Sequence, residues 1–330
     1  MSTEQFKTYT GGPDWAPTGV EVTGVNVTEL IPGTNNNMVH QWGVKRTPLV
    51  FDRHPYPDDG DPFGYEAEVI TVFEHFVEPG DLVVDAGASV GYHTCLLSGL
   101  VGLEGIVLAF EPHLPSFKFL AEHVHLSNKC RNVAVFREAL WKCDVEGLEL
   151  SSVQHLGYSS LHRYKHATST ETVRGRALDS ILMGPDEHPR LIKIDCEGSE
   201  AEVLLGAQKI LEKGVDCVVL ELNYFIMEQV ERSDRIIREF MASLGYDMFL
   251  INIGNPKEGF HSPIRVEPTV PILLEGGHCI NVMFSTVEKV RQRWKTEGIS
   301  NYSMRSGENS KTASSSSTVA VTELIDQRTS

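Results

Sequence analysis

Seven short apolar runs recur along the chain: residues 82–86 (LVVDA), 106–110 (IVLAF), 133–136 (VAVF), 191–194 (LIKI), 217–222 (CVVLEL), 246–252 (YDMFLIN) and 279–284 (CINVMF). Strands of a parallel sheet are covered on both faces, so they read as continuous apolar runs rather than as alternation. The stretches between the runs are mostly amphipathic at helical spacing. In residues 115–126, Phe117, Leu120, Ala121 and Val124 share a face, and Pro115 stands where a first helical turn tolerates it. Ser199 and Glu202 form a capping-box pattern ahead of Val203, Leu204, Ala207, Ile210 and Leu211. Val230, Ile237, Phe240, Met241 and Leu244 line a third helix over about 228–244, which Gly245 stops. The alternation predicts an α/β fold built on a mostly parallel sheet with helices on both faces.

Residues 1–64, rich in Pro, Gly and Asn, read as an N-terminal extension in which "MVHQWGV" and "TPLVF" are candidate edge strands. The helix-like "YEAEVITVFEHF" leads into the main domain, residues 65–296. Residues 297–330, with "SKTASSSSTVAV", lack a pattern able to bury a face and are expected to be a disordered tail. Two stretches break the rhythm, about 142–188 and 253–278. The first carries Gln154, His155, Tyr158, His162, Tyr164 and His166, which either line an acceptor pocket or cover the sheet.

A formal charge of −16 surrounds the chain with a negative field, so nucleic acid and anionic membranes are not expected partners. No window approaches the roughly 18 apolar residues of a membrane span, and "MSTEQFKTYTGG" lacks the marks of a signal peptide, so the expected location is the cytoplasm. The six cysteines are scattered without a C-x-x-C pair and read as reduced core thiols. His123 and His125 point to different faces of their helix, which sets a zinc site aside and leaves them as chance surface histidines.

The stretch "DLVVDAGASVGYHT" places a carboxylate, Asp85, at a strand tip ahead of Gly87 and Gly91. A dinucleotide loop would read G-x-G-x-x-G, whereas here the middle glycine position is Ser89. A strand-tip carboxylate repels a phosphate and attracts a cation. S-adenosylmethionine carries an ammonium and a sulfonium near its own carboxylate, so it suits such a site better than NAD. Glu111, closing the next strand in "VLAFEP", can accept both ribose hydroxyl protons, a feature NAD enzymes share. A second acid-rich site follows in "LIKIDCEGSEAEVLLGA", where Asp195, Glu197 and Glu200 crowd the carboxyl end of one strand and favour a group able to take a proton.

In order and separation, "VVDAGASVGYHT", "AFEP", "LIKIDCEGSEAEVLLGA" and "VVLEL" resemble the FkbM-type S-adenosylmethionine-dependent methyltransferases over about residues 65–284. The resemblance implies the Rossmann-like class I methyltransferase fold, with a seven-stranded sheet whose last strand, "CINVMF", runs antiparallel. It implies that Asp85, Gly87, Ala88, Ser89 and Gly91 line the methionine part of the cofactor, Glu111 its ribose, and Ala139 and Leu140 the adenine. Glu66, Ser159 and Ser160 match positions near the cofactor and pocket, and Asp195 is shared with the cofactor site. Ser89 and Val90 replace the more usual Asn and Ile, and His93 a commoner tyrosine. The expected reaction is O-methylation of a small hydroxyl-bearing metabolite of sugar or natural-product type, with Asp195 or Glu197 as base or orienter. A metal-assisted variant would hold Mg²⁺ on Asp195, Glu221 and Asn223. A NAD-dependent dehydrogenase and a non-catalytic methyltransferase-like binding subunit are the competing readings. No Asn-Pro-Pro-aromatic segment of a nucleic-acid methylase occurs.

Overall fold

The computed structural model describes residues 6–9, 22–25, 66–126, 130–152, 159–162, 167–184, 187–223, 226–227, 234–251, 263–266, 279–294 and 301–302. Strands β1 (Phe6–Tyr9) and β2 (Val22–Val25) pair antiparallel. The edge strands expected at 38–44 and 47–51 lie outside the described residues, as does the expected tail apart from residues 301–302. From there α1 (Ala67–Phe76), β3 (Leu82–Ala86), α2 (Tyr92–Val101), β4 (Ile106–Phe110), α3 (Leu114–Leu126) and β5 (Val133–Phe136) alternate as the apolar runs predict.

The long stretch after β5 is not a simple loop. It holds β6 (Ala139–Leu140), β7 (Val145–Ser152), β8 (Ser159–Ser160) and β9 (Ser169–Arg176), a small sheet of order β6-β9-β7-β8, then the short α4 (Leu178–Ile181). The core resumes with β10 (Leu191–Ile194), α5 (Glu200–Gly206), α6 (Gln208–Glu212), β11 (Cys217–Asn223), α7 (Asp234–Ser243), β12 (Asp247–Leu250), β13 (Ile264–Val266), β14 (Cys279–Ser285), α8 (Val287–Trp294) and β15 (Asn301–Tyr302).

The main sheet runs β15-β13-β12-β14-β11-β10-β3-β4-β5. Strands β5, β4, β3, β10 and β11 are parallel neighbours, and β14 is antiparallel to both β11 and β12. This is the Rossmann-like class I order. Among the described residues the sheet has nine strands rather than the expected seven: β13 pairs with the outer edge of β12 and β15 with β13, covering an edge that would otherwise expose unpaired backbone groups.

Alternation along the strands sorts the core into two layers. Val83, Val107, Leu191, Val219 and Met283 face α1, α2, α3 and α8 through Val72, Phe73, Leu97, Phe117 and Val290. Val84, Phe110, Ile192, Leu220 and Phe284 face the other way, onto Val203, Leu204, Ile210 and Phe240. The expected capping box does not form: Ser199 has φ −102° and ψ 12° rather than an extended backbone, and no side-chain cap hydrogen bond. The helix it was to open divides at Ala207 into α5 and α6.

Candidate active site

Parallel register carries the acids to one place. Lys193 on β10 stands beside Asp85 on β3, and Ile194 beside Leu220, so Asp195 and Glu221 follow at the carboxyl edge. The sequence-predicted residues Asp85, Gly87, Ala88, Ser89, Gly91, Glu111, Asp195 and Glu197 thereby meet along the edge formed by β4, β3, β10 and β11, where ligands bind in open parallel sheets.

The loop after β3 is shaped by contacts on both sides. Gly87 and Ala88 N–H both donate to the Phe110 carbonyl, at 3.0 and 2.9 Å. Gly87 has φ +76°, and a Cβ there would lie 1.8 Å from the Asp195 carbonyl oxygen, so no side chain fits. Gly91, φ +92°, would place a Cβ 2.7 Å from Leu120 Cδ1 on α3. Ser89 has φ +50°. Among the described residues the other non-glycine positions with positive φ are Glu66 and Glu197, so all three fall on predicted site residues. Such conformations cost on the order of 1–3 kcal/mol each and gather at ligand sites.

Asp85 is fully buried; the Thr94 hydroxyl donates to its Oδ2 at 2.6 Å, and Lys193 Nζ lies 3.8 Å from its Oδ1. Burial raises its pKa, with Lys193 and Thr94 opposing. Glu111 accepts Ser89 N–H on Oε2 and His113 N–H on Oε1, both at 2.8 Å, and burial pushes it up to about 7. Beyond Glu111, whose own N–H donates to the Phe136 carbonyl, the chain reaches Ala139 and Leu140. Their side chains are buried in the hydrophobic cores, so what they offer an adenine ring is backbone.

On β10, Lys193 Nζ donates to Asp195 Oδ2 at 3.1 Å. Lys193 is 5% exposed, and the carboxylates of Asp195, Asp85 and Glu66 outweigh burial and hold its ammonium charged. The sequence reading missed this cation; the signal was its i, i+2 spacing to Asp195 in a strand. Glu197 accepts from Asn223 Nδ2 at 3.1 Å, and Ser160 Oγ donates to the Glu197 carbonyl at 2.6 Å, which ties β8 to the acid turn. Ser159, beside it, pairs with Ser152. Burial, then Asp195 and Glu200, push Glu197 well up. Glu200 accepts from Cys196 and Gly198 N–H on Oε1 and is pushed by burial up to about 7. Glu221 rises by burial and neighbouring acids to about 10.

Glu66, leading into α1, lies 3.3 Å from His93 Nε2, and burial holds His93 neutral, edge-on to Phe73. Of the pocket aromatics, His162 is described: its ring centroid is 6.4 Å from that of Trp141, and its Cδ2 would lie 3.5 Å from a Cβ built on Gly198. Gln154, His155, Tyr158, Tyr164 and His166 lie outside the described residues.

Of the expected Mg²⁺ set, Asp195 and Glu221 approach each other, while Asn223 is engaged with its neighbours. Asn223 Oδ1 accepts from Ile226 N–H, its amide donates to Glu197, and Asp195 Oδ2 is taken by the Lys193 ammonium. Carboxylate oxygens of Glu66, Asp195 and Glu221 do come within 4.8 Å of one another, but the buried Lys193 ammonium already bonds Asp195. The cysteines also depart from the uniform core reading: Cys95, Cys130 and Cys217 are buried, Cys196 is half-buried and Cys143 exposed.

Residues 85–248 match the methyltransferase FkbM domain. The chain belongs to the FkbM methyltransferase family. A curated relative, the hexuronic acid methyltransferase AglP of Haloferax volcanii, is 28% identical over 164 residues, 48% of this chain, and the match spans 62% of that relative's length. Solved structures similar to this FkbM chain include methyltransferase FkbM from Methylobacillus flagellatus KT, with 16% identity, TM-score 0.36, and coverage of 67% of this chain and 56% of that one. The O-methyltransferase TomG from Streptomyces achromogenes in complex with S-adenosylmethionine has 14% identity, TM-score 0.39, and coverage of 68% and 83%. Among the described residues of this FkbM protein, no helix is long and apolar enough to cross a membrane.

Proposed function

We propose that this FkbM family member is an S-adenosylmethionine-dependent methyltransferase that methylates a hydroxyl oxygen on a small metabolite of sugar or natural-product type. The observation that carries the reading is the pairing of a loop closed to side chains at Gly87 with a fully buried carboxylate, Asp85, at the strand tip. That pairing lets a ligand approach the loop backbone closely at Gly87 and gives its cationic centres an acid, and it repels a pyrophosphate. The curated relative named for methylating hexuronic acid supports an oxygen-rich acceptor.

Asp85 with Gly87, Ala88, Ser89 and Gly91 would hold the methionine part, Glu111 the ribose, and the backbone at Ala139 and Leu140 the adenine. When bound, S-adenosylmethionine supplies an electrophilic methyl group on a sulfonium. Asp195 is the residue we assign as base: the Lys193 ammonium bonds one of its carboxylate oxygens and leaves the other for the acceptor's O–H. Glu197, pushed well above the usual carboxylate range and held by Asn223, orients the acceptor rather than taking its proton. The proton moves to Asp195 as the new C–O bond forms and the C–S bond breaks.

The test is methyl-tritiated S-adenosylmethionine incubated with the protein and a fractionated metabolite extract. Label should enter a compound that gains one methyl. Asp195→Asn should lower that rate roughly 10²- to 10⁴-fold, a far larger change than in its S-adenosylhomocysteine affinity. Hydride transfer with NAD and no methyl transfer would overturn the proposal.

A further inference from the structure

The loop between β3 and α2 is held residue by residue. Ser89 N–H donates to Glu111 Oε2 at 2.8 Å, His123 Nδ1 lies 2.6 Å from the Val90 carbonyl oxygen, and Gly91 lies under Leu120. Leu120 and His123 are three apart on α3, so one face of one helix meets two successive loop residues. A carbonyl oxygen only accepts, which requires the hydrogen to sit on His123 Nδ1. Burial lowers the pKa of His123 to about 4, so the ring is neutral at physiological pH and its tautomer is fixed by Val90. At the other end of the same peptide unit, Gly91 N–H donates to the Ala88 carbonyl at 2.8 Å. The 90–91 peptide plane is thus pinned at both ends, next to a serine held at φ +50°.

We propose that His123 is a positioning residue for the cofactor loop, fixing the Val90 carbonyl toward α3 so that the loop stands in its ligand-binding form before the methyl donor arrives. Released, this peptide plane is able to flip and present an oxygen to the carboxylate of the ligand, which the pinned form avoids. His123 touches no reacting atom. The histidine that the sequence marks only as one of a chance surface pair is, in the fold, a clamp on the loop.

This inference rests on the cofactor reading above, and its test separates the two. S-adenosylhomocysteine is the probe, titrated calorimetrically into the wild type, His123→Asn, His123→Gln and His123→Phe. An asparagine amide reaches the place of Nδ1, whereas a glutamine amide reaches the place of Nε2. His123→Phe and His123→Gln should weaken binding by roughly tenfold or more, and His123→Asn should stay within about threefold of wild type. A merely structural role would treat Asn and Gln alike, and melting temperatures of the two variants provide that control. Binding by His123→Phe within about twofold of wild type, or equal losses in Asn and Gln, would overturn the proposal. Should His123→Phe fail to fold, the Asn–Gln comparison decides alone. A wild type that binds no S-adenosylhomocysteine points instead to failure of the cofactor reading.

Discussion

At the residue scale the central object is Lys193. Its ammonium sits 3.1 Å from Asp195 and 3.8 Å from Asp85, and the fully buried Asp85 has no other cation at comparable distance among the described residues. Breaking a buried ion group by removing one partner leaves an uncompensated charge, at a cost of about 3–5 kcal/mol. Lys193→Met should therefore lose about that much stability in urea at pH 7, and adding Asp85→Asn should recover part of it. Strict additivity of the two changes would contradict the pairing. The sequence made Asp85 and Asp195 legible because strand-tip acids stand out against apolar runs. Lys193 was concealed inside such a run, where its meaning depends on which residue of a neighbouring strand it faces. Glu66 was legible only by resemblance, since its approach to Asp195 and Glu221 crosses well over a hundred residues of chain.

At the element scale, the β3–α2 loop depends on two glycines for different reasons. Gly87 abuts backbone at Asp195, which cannot move without shifting β10, whereas Gly91 abuts the end of the Leu120 side chain. Gly91→Ala should weaken S-adenosylhomocysteine binding in calorimetry, and Leu120→Ala added to it should restore part of the loss. The same partner change should do nothing for Gly87→Ala. Equal rescue of both would contradict the contacts described. The seven core strands were legible because their apolar runs are continuous. The small sheet was not: β7 and β9 alternate with many exposed polar residues, as in "STETVRGR", so they carry no buried-strand signature. The capping box failed because its pattern specifies residue types and not the backbone angles that the acid turn imposes on Ser199.

At the scale of the whole molecule, the acids gathered at one edge set a pH dependence. Glu221 has its pKa raised to about 10, and Glu111 and Glu200 to about 7, so the folded chain holds protons that the unfolded chain releases from about pH 4.5 upward. The lowered values of His93, His113 and His123 act in the opposite sense, but only below about pH 6.5, where unfolded histidines become charged. Above about pH 7 Glu111 and Glu200 have largely released their protons in both states, and Glu221 acts without the opposition of the histidines, so stability should fall by up to about 1.4 kcal/mol per pH unit for its retained proton. Denaturation of the wild type and Glu221→Gln between pH 7 and 9 checks this: the variant should show the shallower decline. Parallel slopes would contradict the buried cluster. Composition alone indicated a net charge of −16, but only the register of β3, β10 and β11 gathers several of the acids at a single edge, where burial makes them hold protons.

The measurement that bears most directly on the account is calorimetry of the wild-type chain against S-adenosylhomocysteine and NAD in parallel. Saturable binding of S-adenosylhomocysteine, lost in Asp85→Asn and absent for NAD, is the predicted result. Binding of NAD with none of S-adenosylhomocysteine would contradict the assignment of the site.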